Sequence, residues 1–147
     1  MWKVFDGICS EWDSLLSENH SLQQYSFWGI NKVNDGWETL RLIKYAKSGY
    51  VDACVQALIK IKYNVAVVWV AGCPPELIPN IDKTFYKILI KSTGCIYVYC
   101  RISVMDEEHG NEETLLKSLH WGKPSFIINS GLSMLLDLNG GGDEIQK

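Results

Sequence analysis

The sequence predicts an α/β (α+β) domain built on a mixed sheet, and three features carry that expectation. Residues 50–62 alternate apolar and polar side chains over the length of one long strand. Residues 65–71 are apolar on both faces, as in a strand with neighbours on either side. Residues 81–92 place Ile81, Phe85, Ile88 and Leu89 at helical spacing. Strands and helices interleaved in this way imply an antiparallel meander that continues through crossover helices.

The elements follow in order. Ser10 reads as a helix cap, with Glu11 and Asp13 as first-turn acids and Trp12, Leu15 and Leu16 as a short apolar face. A second helix is expected from Ser21, with Gln24 three residues on as in a capping box, ending at Asn34-Asp35-Gly36. Residues 39–45 form a strand and Lys47-Ser48-Gly49 a turn. In the long strand, Val51, Ala53, Val55, Ala57, Ile59 and Ile61 share one face, while Asp52, Gln56, Lys60 and Lys62 point mainly the other way.

Pro74-Pro75 breaks the apolar strand, and Asn80 is the expected cap of the helix that follows. Residues 95–103 alternate again, with Ile96, Val98, Cys100 and Ile102 set against Tyr97, Tyr99, Arg101 and Ser103. Asn111 caps a last helix with Glu112 and Glu113 in its first turn and Leu115, Leu116 and Leu119 inward; Gly122 and Pro124 stop it. A strand at 134–138 precedes Gly140-Gly141-Gly142 and a charged end. The order is α-α-β-β-β-α-β-α-β, with residues 1–138 as a single domain and 139–147 as a flexible tail or linker.

Composition narrows the class. The 147 residues are 47% apolar and 21% charged, the balance of a globular protein and not of a disordered one. A net charge of −3 supplies no bulk attraction to nucleic acid or anionic lipid. The longest apolar run, 65–71, is far below the ~20 residues of a membrane span. The first residues lack a long apolar signal core, and the five cysteines are odd in number and scattered, so a cytoplasmic protein with reduced thiols is expected.

Chemistry-bearing patterns are sparse. His20, His109 and His120 fall in separate elements without metal-ligand spacing. Asn129-Ser130-Gly131 lacks the nucleophile elbow, and Asp106, Glu107, Glu108, Glu112 and Glu113 read as a solvated loop and helix start. Lys83, Lys87 and Lys91 make one helix stripe, expected to be a solvated outer face. The face of Tyr97, Tyr99 and Arg101 is a candidate site, because flat rings beside a guanidinium fork can hold a sugar or phosphate. The competing expectation is a sheet face covered by a helix.

Trp12, Gln24, Trp28, Lys32, Gly36 and Trp37, then Gln56, Leu58 and Lys60, then Ala71-Gly72-Cys73-Pro74, Arg101-Ile102 and residues 135–138 form an ordered set. That set resembles the first half of the Fem family of peptidoglycan-bridge aminoacyltransferases, which carry two tandem GNAT-like (acyl-CoA N-acyltransferase-like) domains. The resemblance implies a GNAT-like fold and a substrate-binding half of an aminoacyl- or acyltransferase acting on cell-wall precursors. It gives Lys32 the role of meeting the phosphate end of a nucleotide-linked muropeptide; Tyr99 and Arg101, from the strand face above, join Lys32 as the candidate substrate-binding residues. It assigns aminoacyl-tRNA to a second domain, which would follow residue 147, and it implies no cofactor here.

The coenzyme A loop of GNAT enzymes is absent from the pattern, which argues against the alternative of a small acetyl-coenzyme A-dependent N-acetyltransferase. A further alternative is a free-standing binding module without turnover, homodimeric or docked to a partner subunit. No residue qualifies as a general base.

Overall fold

A computed structural model describes residues 1–17, 20–104 and 111–122, without side-chain placement at 111–113. The strand expected at 134–138, the tail from 139, and the acids at 106–108 lie outside the described residues. Five strands form one sheet in the order β1 (Trp2–Val4), β2 (Glu38–Tyr45), β3 (Val51–Lys62), β4 (Val65–Cys73), β5 (Tyr97–Val104). The first four pair antiparallel, and β5 joins β4 in parallel after a crossover. The α/β reading of the sequence holds, and so does the meander. The three-residue β1 was not expected; it is too short to show a period, and pairing with β2 defines it.

One sheet face is the main core. Leu42, Val55, Ala57, Ala66, Val68 and Val70 are fully buried there against α3 (Lys83–Thr93) and the 3-10 turn Pro75–Asn80. Phe85 and Leu89 supply the inward stripe of α3, and Phe85 meets Trp2 edge-on at 5.2 Å between ring centroids. Leu115, Leu116 and Trp121, from α4 (Asn111–Ser118) and the turn after it, pack on the same core. The cap of α3 is Asp82 and not Asn80: its carboxylate accepts from the N–H groups of Thr84 and Phe85. Asn80 instead accepts from Trp2 Nε1 through its carbonyl and from Lys44 Nζ through its side chain. Lys83, Lys87 and Lys91 are all exposed, as the stripe predicted.

The described residues cover the opposite face only in part. Over β2 and β3 lie α1 (Cys9–Ser14), the 3-10 turn Leu22–Gln24 and α2 (Ser26–Val33). Ser10 lies inside α1, because the chain enters that helix at Ile8, whose N–H donates to the Glu11 carboxylate. Ser21 caps the 3-10 turn only, and α2 starts five residues later. The Asp13 carboxylate accepts from both the N–H and the hydroxyl of Ser26, each at 2.7 Å, so an acid from α1 holds the start of α2.

Gln24, expected to reach back to Ser21, is fully buried and works across the sheet. Its Oε1 accepts from Gln56 N, and its Nε2 donates to the carbonyls of Ala71 and Gln56. The β3–β4 ladder ends at Leu58 and Trp69, and the Gln24 amide bridges the strands beyond that point. Gln56 faces away from the main core as predicted, yet it is buried: it donates to the carbonyls of Gln23 and Tyr25 and accepts from Arg41. Gly72 sits where the β4–β5 register shifts, with φ +59°, and a Cβ there would collide with Ser21. Only glycine accommodates both demands.

Candidate functional site

The strand registers define which side chains share the partly covered face. Leu58 faces Trp69, Lys60 faces Val67 and Lys62 faces Val65 across β3 and β4. Tyr97, Tyr99 and Arg101 continue the rows of Val65, Val67 and Trp69 onto β5. No described helix covers this half. Val65 is 41% exposed, Val67 38%, Tyr97 68% and Tyr99 50%. Among the described residues the covered-face expectation is not met for the tyrosines: α2 stops over β2 and β3, and α3 crosses on the other side. Arg101 is partly buried in register with Trp69, whose indole N–H donates to Ser103 Oγ at 3.0 Å.

A second cluster borders this strip where α2 ends. Gly36, at φ +75°, turns the chain out of the helix, and Trp37 N donates to the Lys32 carbonyl at 3.1 Å. Trp37 packs on Trp69 with ring centroids 6.0 Å apart. The Lys60 ammonium lies 4.7 Å from the centroid of the Trp37 ring, and that of Lys32 lies 5.3 Å from Trp28. Cations held over indole faces gain electrostatic attraction from the ring. Lys32 also pairs with Asp35 at 2.6 Å. The hydrogen bond from Lys32 and its charge, with Lys60 adding to them, hold the Asp35 carboxyl below the usual carboxylate range.

Lys32 and the Tyr99–Arg101 strip thus stand on different elements, joined through the Trp37–Trp69 pair. Composition and period could not supply that bridge, because Trp69 reads as one more residue of an apolar strand. Lys60 and Asp35 likewise read as a solvated strand lysine and a turn residue. Lys60 had a sequence signal in the Gln56, Leu58 and Lys60 pattern of the resemblance, which gave it no role, and Asp35 had none beyond its turn.

Three of the thiols, Cys54, Cys73 and Cys100, are poor nucleophiles. Burial pushes the Cys54 thiol up to about 11. Burial, with Glu76 nearby, takes Cys73 to about 12, and burial with Cys73 takes Cys100 to about 12. These thiols stay protonated near neutral pH, the opposite of an activated cysteine. Cys54 Sγ lies 3.8 Å from His20 Nε2, and His20 Nδ1 accepts from Ser17 N at 3.0 Å. Burial lowers the pKa of His20, so this pair is a neutral packing contact. Among the described residues, no group of three or more His, Cys, Asp or Glu could hold a metal ion, and no helix is long and apolar enough to cross a membrane.

The fold is a GNAT-like mixed-sheet domain, and among the described residues one sheet face is half open. The solved structure of FemX shares this Fem-like fold, with a TM-score of 0.57 and 18% identity over 80% of the chain. The chain corresponds to 31% of the length of FemX. No protein-family model matches the sequence, and no curated protein matches it.

Proposed function

We propose that this chain is the substrate-binding half of a Fem-like aminoacyl- or acyltransferase that works in the cytoplasm on a cell-wall precursor or related substrate. The observation that supports it best is the face of a Fem-like sheet that no described helix covers, with aromatic rings on it and cations beside it. Lys32 offers an ammonium as a point charge, Arg101 a planar fork of donors, and Tyr99 a flat surface for a sugar or peptide. A nucleotide-linked muropeptide presents all three complements: a diphosphate, sugar rings and a peptide. The chemistry of such a transferase is attack of an amine on an activated aminoacyl ester. It needs positioned reactants more than a covalent enzyme intermediate, which suits a face without an activated thiol. An aminoacyl-tRNA donor would be held by a second domain.

A different reading, a docking module without turnover, is favoured by one feature: the contiguous exposed strip of Val65, Val67, Tyr97 and Tyr99. Titration calorimetry with a nucleotide-linked muropeptide separates the two. The transferase reading expects saturable binding, weakened roughly tenfold by Lys32→Ala as one charge-assisted contact is lost. No heat from the wild-type chain, with concentration-dependent self-association in sedimentation velocity, would refute it in favour of the module.

A further inference from the structure

Across the half of the sheet that no described helix covers, two rows each run from a tyrosine on β5 to a lysine on β3. Register places Tyr97, Val65 and Lys62 in one row and Tyr99, Val67 and Lys60 in the next. Adjacent strands lie ~4.8 Å apart, so the backbone positions of ring and cation in a row are about 10 Å from each other. Alternate residues on one face step along the strands by about 6.6 Å. Ring, apolar floor and cation therefore repeat with one fixed step. A third ring extends the line: Tyr63, in the β3–β4 turn at φ +55°, is 89% exposed, and its neighbour Asn64 accepts from Tyr97 N at 3.2 Å.

Charge in the strip has one sign. Residues 58–69 and 97–103, which supply all of it, contain lysine and arginine but no Asp or Glu. The chain as a whole has a net charge of −3, so its negative charge lies elsewhere and the strip is a local basic field. Lys60 and Lys62 are both exposed, and each ammonium already stands beside a ring, that of Lys60 by Trp37 and that of Lys62 by Tyr63.

We propose that this strip binds an unpaired single strand of nucleic acid, with bases laid on Tyr97 and Tyr99 and phosphates met by Lys62 and Lys60. A single strand supplies one planar base, one sugar and one phosphate per repeat, in the order of ring, floor and cation that each row presents. Base–aromatic stacking tolerates any sequence because every base has a π-face, while cations track the backbone. A duplex keeps its base faces inside its own stack, so it can meet the lysines but not the rings. An acidic peptide matches the charge but brings no flat repeat to the tyrosines. The site is distinct from that of aminoacyl-tRNA, which the resemblance assigns to a second domain. Only Tyr99 is shared with the substrate surface proposed above, and the strand site stands whether or not a muropeptide binds.

The test is fluorescence anisotropy of a labelled oligothymidylate of about 12 nucleotides, within the ~4–16 that a single-strand platform occupies. The whole chain is titrated at several salt concentrations, beside oligouridylate of the same length and a blunt duplex. Saturable binding of the single strands is expected, with the duplex roughly tenfold weaker. A preference for oligouridylate would name RNA, and equal affinity would make either strand a ligand. Tyr97→Ala and Tyr99→Ala should each weaken binding about fivefold to a hundredfold, the loss of one stacked base, whereas Tyr97→Phe keeps the ring and the affinity. Lys62→Gln should flatten the slope of log affinity against log salt by ~0.7, the share of one single-strand phosphate. Lys87→Gln, on the exposed stripe of α3 across the sheet, should bind as wild type does.

No saturable binding by wild type, a duplex bound as tightly as the single strand, or unchanged affinity of both alanine variants would each overturn the site. Loss of binding in Lys87→Gln with no effect of the tyrosines would also overturn it, by placing the contact on α3. Self-association that Tyr97→Ala abolishes in sedimentation velocity, without strand binding, would assign the strip to a second copy of the chain instead.

Discussion

Gln24 is the most informative residue to perturb, because a single buried amide completes the backbone hydrogen bonding where β3 and β4 part. Gln24→Ala removes the acceptor of Gln56 N, held at 2.7 Å, and the donor to the Ala71 carbonyl. Each buried polar group left unsatisfied costs about 1–3 kcal/mol, and two of them together with the lost side-chain volume give roughly 3–6 kcal/mol. That is a large share of the ~5–15 kcal/mol that holds an ordinary domain folded. Gln24→Met separates the contributions: it fills the space and leaves the same two groups unpaired, so it should cost about 2–5 kcal/mol.

Urea unfolding followed by tryptophan fluorescence measures both variants, with the midpoint falling and the slope unchanged if the native state keeps its compactness. Amide exchange supplies the local check, since Gln56 N–H should lose protection beyond the global change. A loss below about 1 kcal/mol for Gln24→Ala would refute the reasoning. It would mean that the two strands re-pair directly, or that water replaces the amide, and that the wedge is not what separates them.

Two further outcomes are expected. Gly72→Ala should destabilise by about 2–4 kcal/mol, as a left-handed φ and a collision with Ser21 act together; a urea midpoint equal to wild type would show that the Ser21 turn yields freely. At Asp82, burial raises the carboxyl pKa, but hydrogen bonds from the Thr84 hydroxyl and from Thr84 and Phe85 N–H, with Lys44, outweigh it and leave the pKa below the ordinary value. A folded-state pKa below the unfolded ~3.9 contributes stability above that pH and loses it as pH falls through the lower value. Asp82→Asn should therefore cut the acid-dependent loss of stability below about pH 4 while keeping most of the cap, and an unchanged stability–pH profile would count against it.

The parts of the fold legible in the sequence are those set by local period. The alternation in β3 and the stripe Phe85, Leu89 each declare which side turns inward, because pleat and helix pitch act residue by residue; the run of β4, apolar on both faces, does not, and its Val65 and Val67 are exposed. The turn at Gly36 and the break at Pro74-Pro75 are equally local, since they rest on allowed φ and on missing donors. Cap positions slipped for the same reason in reverse. Asn80 and Asp82 are both good caps, and the choice fell to the one not already engaged by Trp2 and Lys44 from the far end of the sheet.

The candidate site was legible in part. Tyr99 and Arg101 share a face by alternation alone, but whether that face is covered depends on where α2 ends and on which side α3 crosses. Gln24 shows the limit most plainly. Three residues after a serine it has the form of a capping box, yet its partners lie 32 and 47 residues away. By itself, then, the sequence determined β2 to β5 and the inward stripe of α3, through steric and hydrophobic rules that act within one element. Tertiary structure alone decided that Gln24 and Gln56 are buried, that Trp37 meets Trp69, and that Lys60 lies over the Trp37 ring, because long-range pairing brings those groups together and no local period encodes it.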